Sequence, residues 1–464
     1  MSLTSRSNRP HARETLPPAS PSLPSARRSF QILLILAVPI LSACADRVTD
    51  PTSTLTFSAS SGSADRSFPT GLATVGWQAQ GRSLVASHTA VSPIVATRIY
   101  ALLGVAQYGA VVDADKRLDA DGTLPGDGFG DGGRRRFEAQ RGAIAAASTQ
   151  ILAYLFPDAA VALEQRLTDE GKAGPGGVHP FFTRGVLIGR AFGDVMIAWA
   201  RADGFSTPAC LTAPRSPSCL PGAIPTGPGY WTRNPPDASG VLAPIAGPQF
   251  GAMKPYFLTS PGQFHSPLPP AFGSAAFVTD LAEVSNISVN RTPAQLATAV
   301  FWNLPPGTIS ALGYWDALAS QYIVDHHLDE RGAAHVFALT SAAGMDAIIG
   351  CWEAKFSYYY IRPYQVIAFN GISYPITTPI GQPNHPSYPS GHSCVSAAAA
   401  EVIKSFFPEH ATTLDAQVAE AGLSRIIGGI HYRFDITAGQ NLGRSVAGVA
   451  LAFDRARGLL AAVR

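Results

Sequence analysis

Apolar residues recur along much of this chain at spacings of three and four, which is the repeat of one face of a helix. Strand-like alternation of apolar and polar residues is scarce. The pattern therefore predicts an all-α protein, a helical bundle with long connecting loops. The helical patterns begin near Val91 and recur at 138–156, 180–202, 293–303, 332–355, 393–407 and 414–427.

The composition predicts one large globular domain. The chain has 464 residues, of which 46% are hydrophobic and 14% are charged, so it can bury a substantial core. Its net charge of +2 gives no sign of a nucleic-acid partner. We assign residues 67–464 to this domain and the preceding residues 44–66, which are rich in Ser and Thr, to a flexible tether.

Residues 1–43 have the pattern of a bacterial lipoprotein signal peptide. Two arginines precede an apolar run at 30–41, which leads into Cys44. The run is shorter than the ~20 residues that span a bilayer, which favours a signal peptide over a transmembrane anchor. We expect cleavage before Cys44, lipidation of that cysteine, and an exported protein held at the outer membrane, in the periplasm or at the cell surface by its lipid alone. Secretion by the general or the twin-arginine route is left open.

Beyond the signal, no segment is expected to cross a membrane. Residues 181–200 come closest, but Arg184, Arg190 and Asp194 interrupt them. A protein that crosses the membrane several times would need several apolar spans, each of ~20 residues. The sequence therefore argues against an integral membrane protein.

Four cysteines beyond Cys44 fall into two pairs. Cys210 and Cys219 lie in a Pro-rich connection and could form a disulfide in an exported protein. Cys351 and Cys394 are expected to be buried thiols.

Three short segments carry the candidate chemistry: residues 355–363, 389–392 and 424–435. They combine fixed positive charge with many N–H donors, a set suited to the oxygens of phosphate or vanadate. A serine hydroxyl and an unobstructed glycine N–H add to this set. The predicted oxyanion-binding residues are Lys355, Arg362, Ser390, Gly391 and Arg425.

Two histidines in these segments have different surroundings. His431 is followed four residues later by Asp435, so on a helix the carboxylate could accept the ring N–H and fix the tautomer. His392 has no acidic residue within four positions and is free to act as an acid or base. Gly428 and Gly429, just before His431, predict a turn of the chain around the anion.

The ordered set Lys-x6-Arg-Pro, Pro-Ser-Gly-His and Ser-Arg-x5-His-x3-Asp is similar to the signature of the vanadium-dependent haloperoxidases and the type 2 phosphatidic acid phosphatase superfamily. All positions of the signature are filled here without substitution. The likeness extends over roughly residues 70–460. Segments such as 228–231 and 352–355 resemble the haloperoxidase-like branch.

The resemblance implies a helical bundle of the haloperoxidase and acid phosphatase type and a vanadate cofactor. The five oxyanion-binding residues would hold the vanadate oxygens, His431 would bind the metal, and His392 would be the acid–base residue. Asp435 would belong to the same catalytic set. A histidine at position 385 resembles the bromoperoxidases and would tune halide use, although a plain loop histidine is the simpler interpretation.

Three functions remain open. The first is a vanadate-dependent haloperoxidase that oxidises halide with hydrogen peroxide. The second is an acid phosphatase that hydrolyses phosphate monoesters through a phosphohistidine at the same site, with no vanadate. The third is a non-catalytic oxyanion-binding lipoprotein, which is disfavoured because His392, His431 and Asp435 are all present. The oligomeric state is not determined by the sequence.

Overall fold

The computed structural model describes residues 71–120, 131–173, 177–206 and 223–464. Within these parts the regular secondary structure is almost entirely helical, and β1 (Ala368–Phe369) and β2 (Ile372–Ser373) form a small antiparallel hairpin. The helices are α1 (Ala73–Ser87), α2 (Pro93–Ala120), α3 (Asp131–Leu155), α4 (Ala160–Lys172), α5 (Pro180–Arg201), α6 (Ala275–Asn290), α7 (Pro293–Phe301), α8 (Ser310–Asp325), α9 (Glu330–Tyr358), α10 (Gly391–Phe406), α11 (Ala411–Ile427) and α12 (Arg433–Arg457).

The all-α prediction is confirmed, and each helical pattern found in the sequence corresponds to a helix of the structure. Five helices, α1, α4, α6, α8 and α12, were not predicted. In α12 the reason is visible, because its buried face contains small residues such as Ala438, Gly439, Gly443 and Ala447. Small residues contribute little to a hydrophobic pattern, yet they let helices approach closely.

Helix α9 is the central helix of the bundle. It is buried along most of its length, and α2 and α10 pack against it. It begins at Asp329, whose side chain accepts a hydrogen bond from the Gly332 N–H. It ends where Tyr359 adopts a left-handed conformation (φ 49°), which directs the chain towards Arg362. Lys355, in the last turn, is therefore placed next to the segment that carries Arg362.

Helices α10 and α12 approach each other closely enough to bring two of the motif segments together. A Cβ on Gly439 would lie 2.7 Å from the carbonyl oxygen of Ser390, and one on Gly443 would lie 2.3 Å from that of Cys394. Neither position leaves room for a side chain. The glycines of α12 thus allow the start of α10, with Ser390 and His392, to lie beside Asp435.

Two helices correct the expectation about membrane-spanning segments. By length and composition α2 and α9 are each apolar enough to cross a membrane, rather than residues 181–200. However, 89% and 94% of their most apolar windows are buried inside the protein. The hydrophobicity of α2 and α9 is therefore that of core helices. The apolar spacing in the sequence had not marked these two helices as the most hydrophobic ones.

Several predictions fall outside the described residues. These are the signal peptide at 1–43, the tether at 44–66, lipidation of Cys44, and a disulfide between Cys210 and Cys219. Cys351 and Cys394 are described, and both are free and buried as expected.

A buried carboxylate on α9 fixes the loop that follows α5. Asp346 is fully buried, and its oxygens accept the backbone N–H groups of Tyr256 and Phe257 at 2.7 Å and of Leu258 at 3.2 Å. These three residues are themselves buried, so their N–H groups would otherwise lack a partner. Asp346 therefore connects this loop to the helix that carries Lys355.

We expect Asp346→Ala to lower the free energy of unfolding by about 3 kcal/mol or more, because it leaves three buried donors unpaired. Urea denaturation followed by circular dichroism measures the change. The matched variant Asp346→Asn keeps one acceptor oxygen and should lose less. An alanine variant as stable as the wild type would show that the loop is held by other contacts.

Candidate functional site

A cavity of about 380 Å³ opens where the three motif segments meet. Gly391, His392, Arg425 and His431 contribute to its wall, as does His385. The remaining lining is mainly apolar and includes Ile94, Ala311, Ile348, Trp352, Val395, Pro305 and Pro306. The cavity thus combines a polar, cationic wall with an apolar one.

His431 lies just before α12, and its ring is fixed by Asp435. The Nδ1 atom of His431 is 2.8 Å from Oδ2 of Asp435, and both side chains are buried. The predicted pair is therefore formed, but not across a helix face as expected, because α12 begins only at Arg433. Since the carboxylate accepts the Nδ1 proton, the lone pair of Nε2 is left available.

Asp435 has further hydrogen-bond donors on the same oxygen. The Ser387 hydroxyl donates to Oδ2 at 2.6 Å, and the Tyr432 N–H donates at 3.1 Å. Burial raises the pKa of Asp435, and the Ser387 hydrogen bond and the nearby Lys355 oppose that rise. The pKa of His431 is lowered well below its usual range, first by burial and then by Arg362 and Lys355. His431 is therefore held as a neutral, oriented imidazole.

Ser387 is a site residue that the sequence analysis missed. It lies three residues before Ser390, outside the motif, and no charge or spacing marks it. Its hydroxyl becomes significant only because the loop before α10 folds against the first turn of α12.

His392 lies in the first turn of α10. Its Nε2 atom is buried and has no hydrogen-bond partner among the described residues. The pKa of His392 is lowered well below its usual range, mainly by burial and secondly by the charge of Arg425. The ring therefore presents an unused nitrogen in the wall of the cavity, as a proton acceptor requires.

Lys355 is fully buried and holds the loop before α10 by hydrogen bonds. Its ammonium group donates to the carbonyl oxygens of Pro386 (2.9 Å), Ser387 (2.7 Å) and Pro389. These bonds account for its three donors. Burial lowers the pKa of Lys355, and the neighbouring Arg362 adds to this, while Asp435 opposes it.

Arg362 is also fully buried and joins two loops. Its Nε donates to the carbonyl of His385 at 2.8 Å, and its Nη1 donates to that of Ile430 at 2.7 Å. Its Nη1 also lies 3.5 Å from Nε2 of His431. Arg362 thus sets the position of the backbone on both sides of the cavity wall.

His385 receives a hydrogen bond from the same guanidinium group, whose Nη2 lies 3.2 Å from the His385 Nδ1. Since an arginine can only donate, Nδ1 must be the acceptor and the ring carries its proton on Nε2. The ring also packs against Trp352, with centroids 5.0 Å apart. His385 is therefore part of the cavity wall rather than a plain loop residue, although its effect on halide choice stays a prediction.

Arg425 lines the cavity and is held by its neighbours. Its Nε donates to the Ser424 hydroxyl at 2.9 Å and its Nη2 to the carbonyl of Ala299 at 3.0 Å. Burial lowers its pKa. The predicted turn follows α11, and Gly429 adopts φ 75°, which a residue with a side chain rarely takes.

Ser390 and Gly391 form the start of α10. The Ser390 side chain accepts from the Ser393 N–H, and Gly391 is the first residue of the helix. A Cβ on Gly391 would lie 3.1 Å from the ring of Trp352, so the close contact favours glycine. The N–H groups of this first turn and the Ser390 hydroxyl are suited to an anion.

The donor chemistry of the site fits an oxyanion such as vanadate or phosphate. All the predicted site residues beyond Cys44 come together. His431 contributes an unprotonated imidazole nitrogen, 3.5 Å from Arg362, and His392 contributes a nitrogen without a partner among the described residues. Lys355 and Arg362 supply charge, but their N–H groups are directed to backbone carbonyls and, for Arg362, also to the rings of His385 and His431 in this conformation. The direct contacts would come from Arg425, Gly391 and Ser390.

Comparisons with known proteins agree with this geometry. The family model described as the VCPO second helical-bundle domain matches residues 335–418 and 409–458, a region that contains all three motif segments. A non-specific acid phosphatase of Providencia stuartii is 28% identical over 174 residues, which are 37% of this chain and 66% of that relative, just under two thirds of its length. Together these matches support the vanadium haloperoxidase and acid phosphatase superfamily as the family of this chain.

Solved structures of this superfamily share the fold over most of the chain. The first bacterial vanadium-dependent iodoperoxidase matches with a TM-score of 0.65 and 23% identity, over 83% of this chain and 97% of that one. A bacterial vanadium-dependent chloroperoxidase in its holo form matches with a TM-score of 0.62 and 15% identity, over 82% and 96% of the two chains. At these identities the likeness establishes the fold.

We expect Ser387→Ala to weaken the binding of orthovanadate by roughly tenfold or more, because a lost outer hydrogen bond loosens the His431–Asp435 pair. Isothermal titration with orthovanadate as the probe gives the affinity. Ser393→Ala is the matched control, since its buried hydroxyl oxygen has no hydrogen-bond partner among the described residues. Equal affinity in the two variants would contradict a positioning role for Ser387.

Proposed function

We propose that this protein is a vanadate-dependent haloperoxidase, which oxidises halide ions with hydrogen peroxide. The observation that carries the proposal is the neutral His431 imidazole, held by Asp435 with Nε2 available in a cationic cavity wall. The superfamily assignment and the fold shared with bacterial vanadium-dependent peroxidases support it.

In this proposal His431 holds the vanadium atom through Nε2, and Asp435 and Ser387 keep the ring in the required tautomer. Arg425, the Gly391 N–H and the Ser390 hydroxyl hydrogen-bond to the oxygens of the anion. When bound, vanadate supplies the Lewis-acid centre that activates hydrogen peroxide for oxygen transfer to halide. Lys355 and Arg362 add positive charge and hold the loops that shape the site.

His392 is the proposed acid–base residue. Its buried Nε2 has no hydrogen-bond partner in the described part of the chain, so it can accept a proton from hydrogen peroxide and later return it to the leaving product. Burial favours the neutral ring, which is the form that a base needs. The acid–base residue and the metal ligand are thus separate histidines with different hydrogen-bond environments.

The lining of the cavity supports the choice of two substrates, a halide ion and an organic acceptor. The described residues that line it include no carboxylate, and the cationic wall would attract anions such as halides. Its apolar wall, which includes Trp352 and Ile348, suits an uncharged organic compound as the acceptor of the oxidised halogen. His385, which lies in the wall beside Trp352, is the residue that we propose to influence halide preference.

Acid phosphatase activity is the second candidate, and the similarity to the acid phosphatase of Providencia stuartii favours it. Here Nε2 of His431 would attack phosphorus, the ester P–O bond would break, and His392 would protonate the departing alcohol. Water would then attack the phosphohistidine, the P–N bond would break, and His392 would take the proton. This chemistry needs no vanadate, which would act as an inhibitor.

The N-terminal pattern supports a proposal about location. Cleavage before Cys44 and lipidation there would place the enzyme outside the cytoplasm, anchored to a membrane by lipid alone. Hydrogen peroxide, halide and organic acceptor would then be taken from that surrounding compartment.

Two assays on the purified full chain decide between the activities. Bromination of a phenolic dye is measured with hydrogen peroxide and bromide, with and without orthovanadate. Hydrolysis of p-nitrophenyl phosphate is measured on the vanadate-free protein. Bromination that depends on vanadate is the expected result, whereas phosphate release without any halogenation would make the protein a phosphatase.

The alanine variants of His431 and His392 are expected to differ in their effects on turnover and on orthovanadate binding. His431→Ala should abolish turnover in both assays and greatly weaken orthovanadate binding, because the ligand or nucleophile is lost. His392→Ala should keep most of that binding but lower the rate by about 10²–10⁴-fold, as expected for loss of an acid–base group. Exposed His327 offers the control variant His327→Ala. Full activity in His431→Ala, with its fold intact by circular dichroism, would refute the site.

A further inference from the structure

We propose that His326, Glu409 and His410 form a surface site for a divalent transition metal of the Zn²⁺ type, separate from the catalytic cavity. His326 directly follows α8, whereas Glu409 and His410 lie in the short turn Pro408–His410 between α10 and α11. The three ligands therefore come from two segments that are far apart in the sequence. None of them lines the cavity.

The ligand atoms already converge. Nε2 of His326 lies 2.9 Å from Oε1 of Glu409, and Nε2 of His410 lies 3.8 Å from the same oxygen. One ligand atom from each of the three residues falls within 4.8 Å of the others. Ligand atoms about 2.0–2.2 Å from a tetrahedral Zn²⁺ lie roughly 3.3 Å from one another. Small side-chain shifts would therefore bring all three into coordination.

Both imidazole rings are held by aromatic neighbours. The His410 ring stacks on Tyr322, with centroids 3.9 Å apart and planes inclined by 3°. The His326 ring packs against the buried Phe407 at 5.0 Å. Because these contacts limit the rotamers of the two histidines, metal binding would cost less side-chain entropy than at a mobile surface pair.

The donor set suits zinc and related borderline metals. Two imidazole nitrogens and one carboxylate provide three protein ligands, and a water molecule would complete a tetrahedral shell. The His326, Glu409 and His410 side chains are 38%, 48% and 32% exposed, so the fourth position faces solvent and the ion can enter directly. In the described residues this is the one cluster of three such ligands.

A metal at this site would tie the end of α8 to the turn before α11. The bare His326–Glu409 contact is exposed, and exposed pairs of this kind contribute little to stability. A bound ion would replace it with three coordinate bonds that join the two segments. Zinc would then stabilise the folded state, because it binds the arrangement that folding creates.

The test is zinc binding by the full chain after removal of metals with a chelator. Competition with a chromophoric zinc chelator gives stoichiometry and affinity for the wild type and for His326→Ala, His410→Ala and Glu409→Gln. We expect the three variants to lose one equivalent of zinc, or to bind it at least tenfold more weakly. Zinc should raise the Tm of the wild type more than that of any variant.

His327→Ala is the matched control, because His327 is an exposed neighbour of His326 outside the cluster. It should bind zinc like the wild type. Wild-type affinity in His326→Ala and His410→Ala would overturn the proposal by placing the zinc elsewhere, for example on the catalytic histidines. Absence of zinc binding by the wild type would overturn it as well. Glu409→Gln keeps the size of an exposed side chain, so it tests the site even if an alanine variant misfolds.

Discussion

The carboxylate and backbone of Asp435 hold the candidate site together. Its side chain accepts hydrogen bonds from Ser387, Tyr432 and His431, and its carbonyl oxygen accepts the N–H of Ser390. One buried residue thereby connects the loop before α10, the first turn of α10 and the start of α12. The orientation of His431 depends on this set, because Nε2 is available only while the carboxylate holds the proton on Nδ1.

Charge balance makes the candidate site suited to anions. Lys355, Arg362 and Arg425 are all buried, and the buried carboxylate of Asp435 acts on Lys355 and Arg362. Uncompensated charge in a protein interior is costly, and this cost is reduced when an anion enters. The backbone carbonyls around Lys355 and Arg362 accept hydrogen bonds from both side chains. They compensate part of the positive charge of these side chains and keep both cations in place. A site built this way favours a multiply charged oxyanion.

The same arrangement suits two chemistries, since vanadate in its five-coordinate form resembles phosphate during transfer. A neutral, oriented imidazole can bind a metal or attack phosphorus, and the second histidine can move a proton in either reaction. What separates the two functions therefore lies in the occupant of the site and in the cavity around it. The apolar wall beside Trp352 and His385 is where substrate choice would be made.

Local patterns in the sequence determined the helical fold and nearly all of the candidate site. Spacings of three and four marked the apolar helices, and fixed motif spacings marked Lys355, Arg362, His392, His431 and Asp435. Contacts between distant segments were decided only by the tertiary structure. Ser387 gained its role because the loop before α10 packs against α12, and His326 met Glu409 and His410 because two turns lie side by side. The small-residue face of α12 likewise had meaning only once α10 was packed against it, since close packing is a property of two surfaces and not of one sequence pattern.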